Sequence, residues 1–312
     1  MLSVFASLLP VFILIAAGFV LRKAGIIPAE HWRGVELVCF YVLFPALLII
    51  VLADSTLTFG ETAPFALSLL VLVVLMSLGG WLARKPLNRL IGMEGPAYTT
   101  FFQTTTRWHG FIALAVVGKL YGDEGLAVLA IAFAAMVPIL NVVNILILAT
   151  YAAHKPAPMG LIVRTLVRNP LIWGIVIGLI IRFSGIALPD IAKTTLGLAG
   201  DGALGVSLLA LGAGLSWKAA KSAGKEVLLA TFVKLIITPV LGIGVALMFG
   251  VSGMSLVIIA ISAAVPTAVN GYVLARTMGG DAELYAATTT AQVVVSFVTM
   301  PFFIWIAMQV AG

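Results

Sequence analysis

Uninterrupted apolar runs of about 20 residues recur from one end of this chain to the other, and few folds accommodate that pattern. A run of that length is what an α-helix needs to cross the hydrocarbon core of a bilayer. The runs are continuous and do not alternate with period two, which excludes a β-barrel. The chain is 62% apolar and 10% charged, with mean hydropathy +1.18. A soluble domain carries roughly 25% charged residues. The expected class is therefore an all-α integral membrane protein whose first partner is the lipid bilayer. The net charge of +6 and pI near 9.6 do not point to nucleic acid, because the basic residues lie mainly in short loops. The single cysteine, Cys39, permits no intramolecular disulfide.

Ten spans are expected, at 2–21, 35–52, 64–82, 97–117, 125–151, 170–183, 196–216, 227–249, 255–275 and 285–310. The run from Leu2 to Leu21 is followed, not preceded, by Arg22 and Lys23, the reverse of a secretory signal, so it reads as the first span. Loops after odd-numbered spans hold Arg22, Lys23, Arg33, Arg84, Lys85, Arg89, Lys155, Arg164, Arg168, Lys218, Lys221, Lys225 and Arg276, 13 of the 18 basic residues. Loops after even-numbered spans hold mostly Asp54, Glu61, Asp123, Glu124 and Asp190. The positive-inside rule then makes the odd loops cytoplasmic and sets both termini outside.

The halves of the chain echo each other. GFVLRKAGIIP at 18–28 ends the first span, and GLIIRFSGIALP at 178–189 ends the sixth. His109-Gly110-Phe111, followed by YGDE at 121–124, is matched by Asn270-Gly271-Tyr272, followed by GGDAE at 279–283. Both matches fall at an offset of about 160 residues. Repeats of five helices, an odd number, must be inverted in the membrane, an architecture of secondary transporters. The expected division is a first repeat over 1–155 and a second over 165–312.

The fourth and ninth spans read as broken helices. The fourth carries Thr104-Thr105-Thr106-Arg107-Trp108-His109-Gly110. An arginine at the bilayer centre costs about 2.5–3.5 kcal/mol on insertion scales, so it needs a partner or a purpose. The ninth carries Pro266 and Gly271, which remove a backbone donor and loosen the chain. Freed backbone at membrane depth is tolerated only inside protein or along a wet cavity. The N–H groups at half-helix starts suit an anion.

These segments, with FYVLFPALLI around Pro45, NPLIWGIVIGLIIRFSGIALP, SLLALGAGL and VPTAVNGYVLARTMGGDAELYAA, resemble the auxin efflux carrier family in its bacterial branch. The likeness runs over essentially the whole chain. That family is a distant structural relative of the bile acid:sodium symporters. The resemblance implies two inverted five-helix repeats with the broken fourth and ninth helices crossing at mid-membrane. It implies a scaffold of about 1–52 plus 170–216, through which members homodimerise, and a transport part of about 64–151 plus 227–312. It implies export or import of small carboxylates, auxin-like weak acids or malonate and malate, across a bacterial inner membrane by elevator-type movement. Gln103 and Arg107 match the family pattern in the fourth helix, and Pro266, Asn270 and Tyr272 match it in the ninth. His109 departs from it, since asparagine is usual there.

Each candidate residue has a plainer reading beside the functional one. Arg107 is either the counter-charge for a substrate carboxylate or a structural donor to carbonyls freed by the break. His109, with an ordinary pKa of about 6.5, is either a proton-linked gate or a neutral substitute for asparagine. Asn270 either binds substrate or caps a half-helix. Asn141 and Asn144 share a helix face and either line the path or bridge helices. Thr267 and the runs Thr104–Thr106 and Thr288–Thr290 are as readily bonded to the preceding turn. Pro45, with Gly110, Pro266 and Gly271, marks a helix break or crossover. Gly174 and Gly178 form a close-packing pattern. Asp201 is either an ion or proton carrier or a residue at the membrane boundary. Glu36 reads as a charge at a helix N-terminus.

Neither H-E-x-x-H nor G-x-S-x-G occurs, and His109 is the only histidine inside a span. No enzyme activity, metal site or cofactor is therefore expected. The crossover segments offer hydroxyls, amides, an arginine and a histidine without a carboxylate, which favours an anion site. A sodium-coupled symporter of the bile acid type and an anion channel are the alternatives.

Overall fold

A computed structural model describes residues 2–56, 59–153, 159–185, 187–217 and 224–311. Lys155, Lys218, Lys221, Ile186 and the side chain of Glu61, used in the sequence argument, lie outside what is described. Among the described residues every regular element is helical. The helices are α1 (Leu2–Lys23), α2 (Trp32–Val38), α3 (Phe44–Ala53), α4 (Phe59–Leu82), α5 (Arg84–Ile91), α6 (Gly95–Thr106), α7 (Gly110–Tyr151) and α8 (Met159–Val167). They continue as α9 (Pro170–Ser184), α10 (Asp190–Gly214), α11 (Lys225–Phe232), α12 (Thr238–Met248), α13 (Gly253–Ala264), α14 (Gly271–Met278) and α15 (Ala282–Val310). Wider π-turns join α2 to α3 at Cys39–Leu43 and α11 to α12 at Val233–Ile237.

Seven helical stretches among the described residues are long and apolar enough to cross a membrane. The number becomes eight if α8 and α9, bent by 47° at their junction, form one span. The protein is thus a multi-pass membrane protein. The difference from ten expected spans arises at the breaks. The expected fourth and fifth spans run together as one stretch, Gly95–Tyr151, and α13 and α14 have only 12 and 8 residues each. Gly122, at φ 57° and ψ −148°, interrupts α7 where the two spans were expected to part. That conformation favours a residue without Cβ. The short helices α5 and α8 were not expected; they carry Arg84, Lys85, Arg89 and Arg164 in segments read as loops.

The chain divides into two compact units. The first comprises residues 1–63, 111–134 and 168–214. Within it α1 packs on α10 and α3 packs on α9. A Cβ at Gly18 would collide with the Leu209 carbonyl, and one at Gly178 would press on Leu52 and the Ile49 carbonyl. Gly174 likewise lies against Pro45, so the small residues of α9 serve close packing as expected. Phe44 stacks on Phe111 with centroids 4.2 Å apart. At one end Lys193 Nζ pairs with Asp54 at 2.9 Å and Arg182 donates to Ser55 Oγ at 2.8 Å. Glu36 pairs with Arg33 at 3.1 Å, and Asp201 is exposed.

The second unit comprises residues 64–110, 135–167 and 215–312. Helices α6 and α13 form its interior: Tyr98–Thr106 and Leu256–Ala264 are all buried. Around them α15 packs on α6, α11, α13 and α14. At one edge the Arg84 guanidinium lies 4.6 Å from the ring centroid of Tyr151, whose hydroxyl accepts from Trp81 Nε1 at 3.2 Å. An aromatic cluster beside a basic helix suits the membrane–water boundary.

Candidate functional site

The site is built where α6 and α13 stop. Each has 12 residues, and each ends on a residue turned extended: Arg107 at φ −67°, ψ 154° and Val265 at φ −64°, ψ 146°. The chain leaves helical geometry over residues 107–109 and 265–270, then resumes as α7 at Gly110 and α14 at Gly271. The broken segments thus fall where threonine, proline and glycine made helix poor in the sequence.

An end inside a protein leaves backbone groups that need partners. Gln292, at mid-length of α15, supplies them for both breaks. Its Nε2 donates to the Thr104 carbonyl at 3.0 Å and to the Ala230 carbonyl at 3.4 Å. Its Oε1 accepts from the Thr267 N–H at 2.9 Å. One amide therefore bridges α6, α11 and the second break. Tyr285, two turns earlier, donates to the Ala268 carbonyl at 2.6 Å and shares a 3.2 Å contact with Thr267 Oγ1. Its hydroxyl also fills the space where a Cβ on Gly271 would lie. Sequence reasoning missed Gln292 and Tyr285. The available signal was a lone buried amide in the last apolar run, since a polar side chain inside a membrane is costly without a role.

Arg107 is 6% exposed, and its Nη1 donates to Asn141 Oδ1 at 3.4 Å while Nε has no partner. Asn144 donates to the Leu140 carbonyl at 2.7 Å and lies 3.4 Å from Thr106 Oγ1. The two asparagines of α7 thus stand beside the first break. His109 is 2% exposed and precedes the first turn of the resumed α7. Gln103 is buried on α6, with neither amide atom partnered. Thr104, Thr105 and Thr106 bond back to carbonyls of the preceding turn.

The remaining candidates differ in exposure and in the unit they belong to. Asn270 occupies the N-cap position of α14, makes no capping bond and is exposed. Tyr272 is 37% exposed. Pro266 and Thr267 are buried in the second break. Pro45 belongs to the first unit, just after the π-turn and against Gly174. An apolar groove of about 340 Å3 between α4, α6 and α7, lined by Val73, Ser77, Trp81, Phe102, Val143 and Ile147, includes none of the candidate residues.

The arrangement is a pair of interrupted helices stitched by side-chain amides, with a buried arginine and no buried carboxylate among the described residues. A family model described as a membrane transport protein matches residues 3–304. The chain belongs to that family, the auxin efflux carriers. This carrier is similar to an uncharacterized transporter of Methanothermobacter thermautotrophicus, 22% identical over 300 residues and covering 95% of each chain. It is also similar to the uncharacterized transporter YfdV of Escherichia coli K12, 25% identical over 318 residues and covering 98% of each chain. Its assignment as a membrane transporter rests on this family.

Proposed function

We propose that this carrier is a secondary transporter of a small organic anion, a mono- or dicarboxylate, working by elevator-type alternating access in the bacterial inner membrane. Arg107 carries the proposal. It is a buried guanidinium at a helix break, with one long bond to an asparagine and an Nε left over. A carboxylate with two acceptor oxygens is the natural partner for such a fork. The unpartnered amide of Gln103, one turn back on α6, offers a further donor. The same reading assigns Thr267, Asn144 and His109 to the site, together with the exposed Asn270 and Tyr272. The half-helices starting at Gly110 and Gly271 add N–H groups.

The same reading takes the chain as ten spans in two inverted repeats, with both termini outside and a homodimer through the scaffold. It is supported by parallels between the halves: two 12-residue helices ending in extended residues, and glycines at φ 57° and φ 80° (Gly122 and Gly279) after the resumed segments. The close-packing Gly18 and Gly178 occupy the matched GFVLRKAG and GLIIRFSG motifs.

The test is uptake of labelled malonate and other small carboxylates into proteoliposomes, with and without a sodium gradient. Saturable uptake accelerated by internal substrate and independent of sodium is expected. Sodium dependence would favour the symporter, and single-channel current steps would favour a channel. Folded Arg107→Gln protein that transports as well as wild type would rule out the counter-charge role.

A further inference from the structure

A second buried cation stands in the same unit, outside every role described so far. Lys234 is 1% exposed, and its ammonium has no hydrogen-bond or ion-pair partner among the described residues. It lies in the π-turn Val233–Ile237, between α11 and α12. Such widened turns inside helices are frequent at functional sites.

The turn packs against α6, α13 and α15. Each of these brings a buried polar side chain that also lacks a partner: both amide atoms of Gln103, Ser262 Oγ and Thr289 Oγ1. Thr231 Oγ1, one turn before Lys234, is unpartnered as well. The register ties these residues together through Gln292. Its Nε2 reaches the carbonyl of Ala230, four residues before Lys234, and that of Thr104, next to Gln103. Thr289 is one turn from Gln292 on α15.

Among the described residues no ion pair is made to the lysine. Helices α6, α12 and α13 carry no Asp or Glu, and Glu226 and Glu283 stand in the first turns of α11 and α15. The other titratable groups on these elements are Lys225, Tyr98 and Tyr285. Buried cations and polar groups are ordinarily paired. Unpartnered polar side chains on the elements that pack against the turn, with a buried lysine on the turn itself, are what a bound anion would complete.

We propose that Lys234 is a second anion-coordinating residue, which together with the Gln103 amide receives a second carboxylate and so sets a preference for dianions over monoanions. The inference rests on the reading of Arg107 as counter-charge for the first carboxylate. Among the described residues there are two buried basic side chains and no buried carboxylate, so with both protonated around the ligand they would match a dianion and leave a monoanion one charge short.

The test is calorimetric titration of purified full-length protein with malonate, succinate and propionate, for wild type, Lys234→Met and Arg107→Gln. Lys234→Met is expected to weaken malonate or succinate by at least about thirtyfold while changing propionate by less than about threefold. Arg107→Gln is expected to weaken all three. Unliganded Lys234→Met should melt no lower than wild type, because an apolar side chain replaces an unpaired charge. Dicarboxylate binding unchanged in Lys234→Met, or equal losses for mono- and dicarboxylates, would overturn this proposal alone. Lys234→Gln offers the same two outcomes if the methionine variant does not fold. A wild-type protein that binds no carboxylate would overturn the organic-anion reading and this proposal with it.

Discussion

Gln292 shows how much of a membrane site can depend on one residue. It holds the Thr104 and Ala230 carbonyls and the Thr267 N–H, all buried. Leaving a buried polar group unpaired costs about 1–3 kcal/mol. Gln292→Leu should therefore lower the melting temperature by several degrees and loosen both breaks at once. Thermal unfolding monitored by tryptophan fluorescence checks this, and a melting temperature equal to wild type would contradict it. Arg107 was legible in the sequence because a charge inside an apolar run announces its own cost. Lys234 in the run 227–249 and Gln292 in the run 285–310 carried the same kind of signal, but the sequence does not say which carbonyls or hydroxyls such a group will meet. His109 lies where the sequence predicted it, at the first break. His109→Asn, which restores the usual residue, should retain binding if the imidazole serves as a neutral hydrogen-bonding group. A changed pH profile of uptake in that variant would instead mark a proton-linked gate.

At the scale of elements, the breaks follow directly from local chemistry. Proline at 266, glycine at 110 and 271 and a run of threonines all weaken helix where the chain departs from it. The short helices α5 and α8 were invisible for the opposite reason. They are 8 and 9 residues long, too short for apolar periodicity to stand out from a basic loop. Helix packing in the first unit depends on small residues, since lipid tails compete with every larger apolar contact. Gly18→Val should therefore prevent α1 from seating on α10, because even a Cβ meets the Leu209 carbonyl. A loss of monodisperse protein on size-exclusion chromatography is the expected result. Gly34→Val is the control, since nothing lies within 4 Å of a Cβ there.

For the molecule as a whole, membrane class and family were readable from the recurrent apolar runs and the motifs shared along the chain. The number of spans was less so. Helix length and apolarity yield seven or eight among the described residues, because broken spans fail as single helices. Orientation follows from charge. The positive-inside reading predicts that cysteines at Lys85 and Arg276, in a Cys39→Ser background, are labelled only from the cytoplasmic side. A cysteine at Asp190 should be labelled from outside. The reverse pattern would invert the topology and leave the site chemistry unchanged. On the proposed reading a small carboxylate binds at the break that holds Arg107. The most direct measurement is a thermal-shift screen of mono- and dicarboxylates on purified wild-type and Arg107→Gln protein, since a ligand that binds the folded state raises its apparent stability. A concentration-dependent rise is expected for at least one carboxylate in wild type and none in Arg107→Gln. No rise with any carboxylate, or the same rise in both proteins, would contradict it.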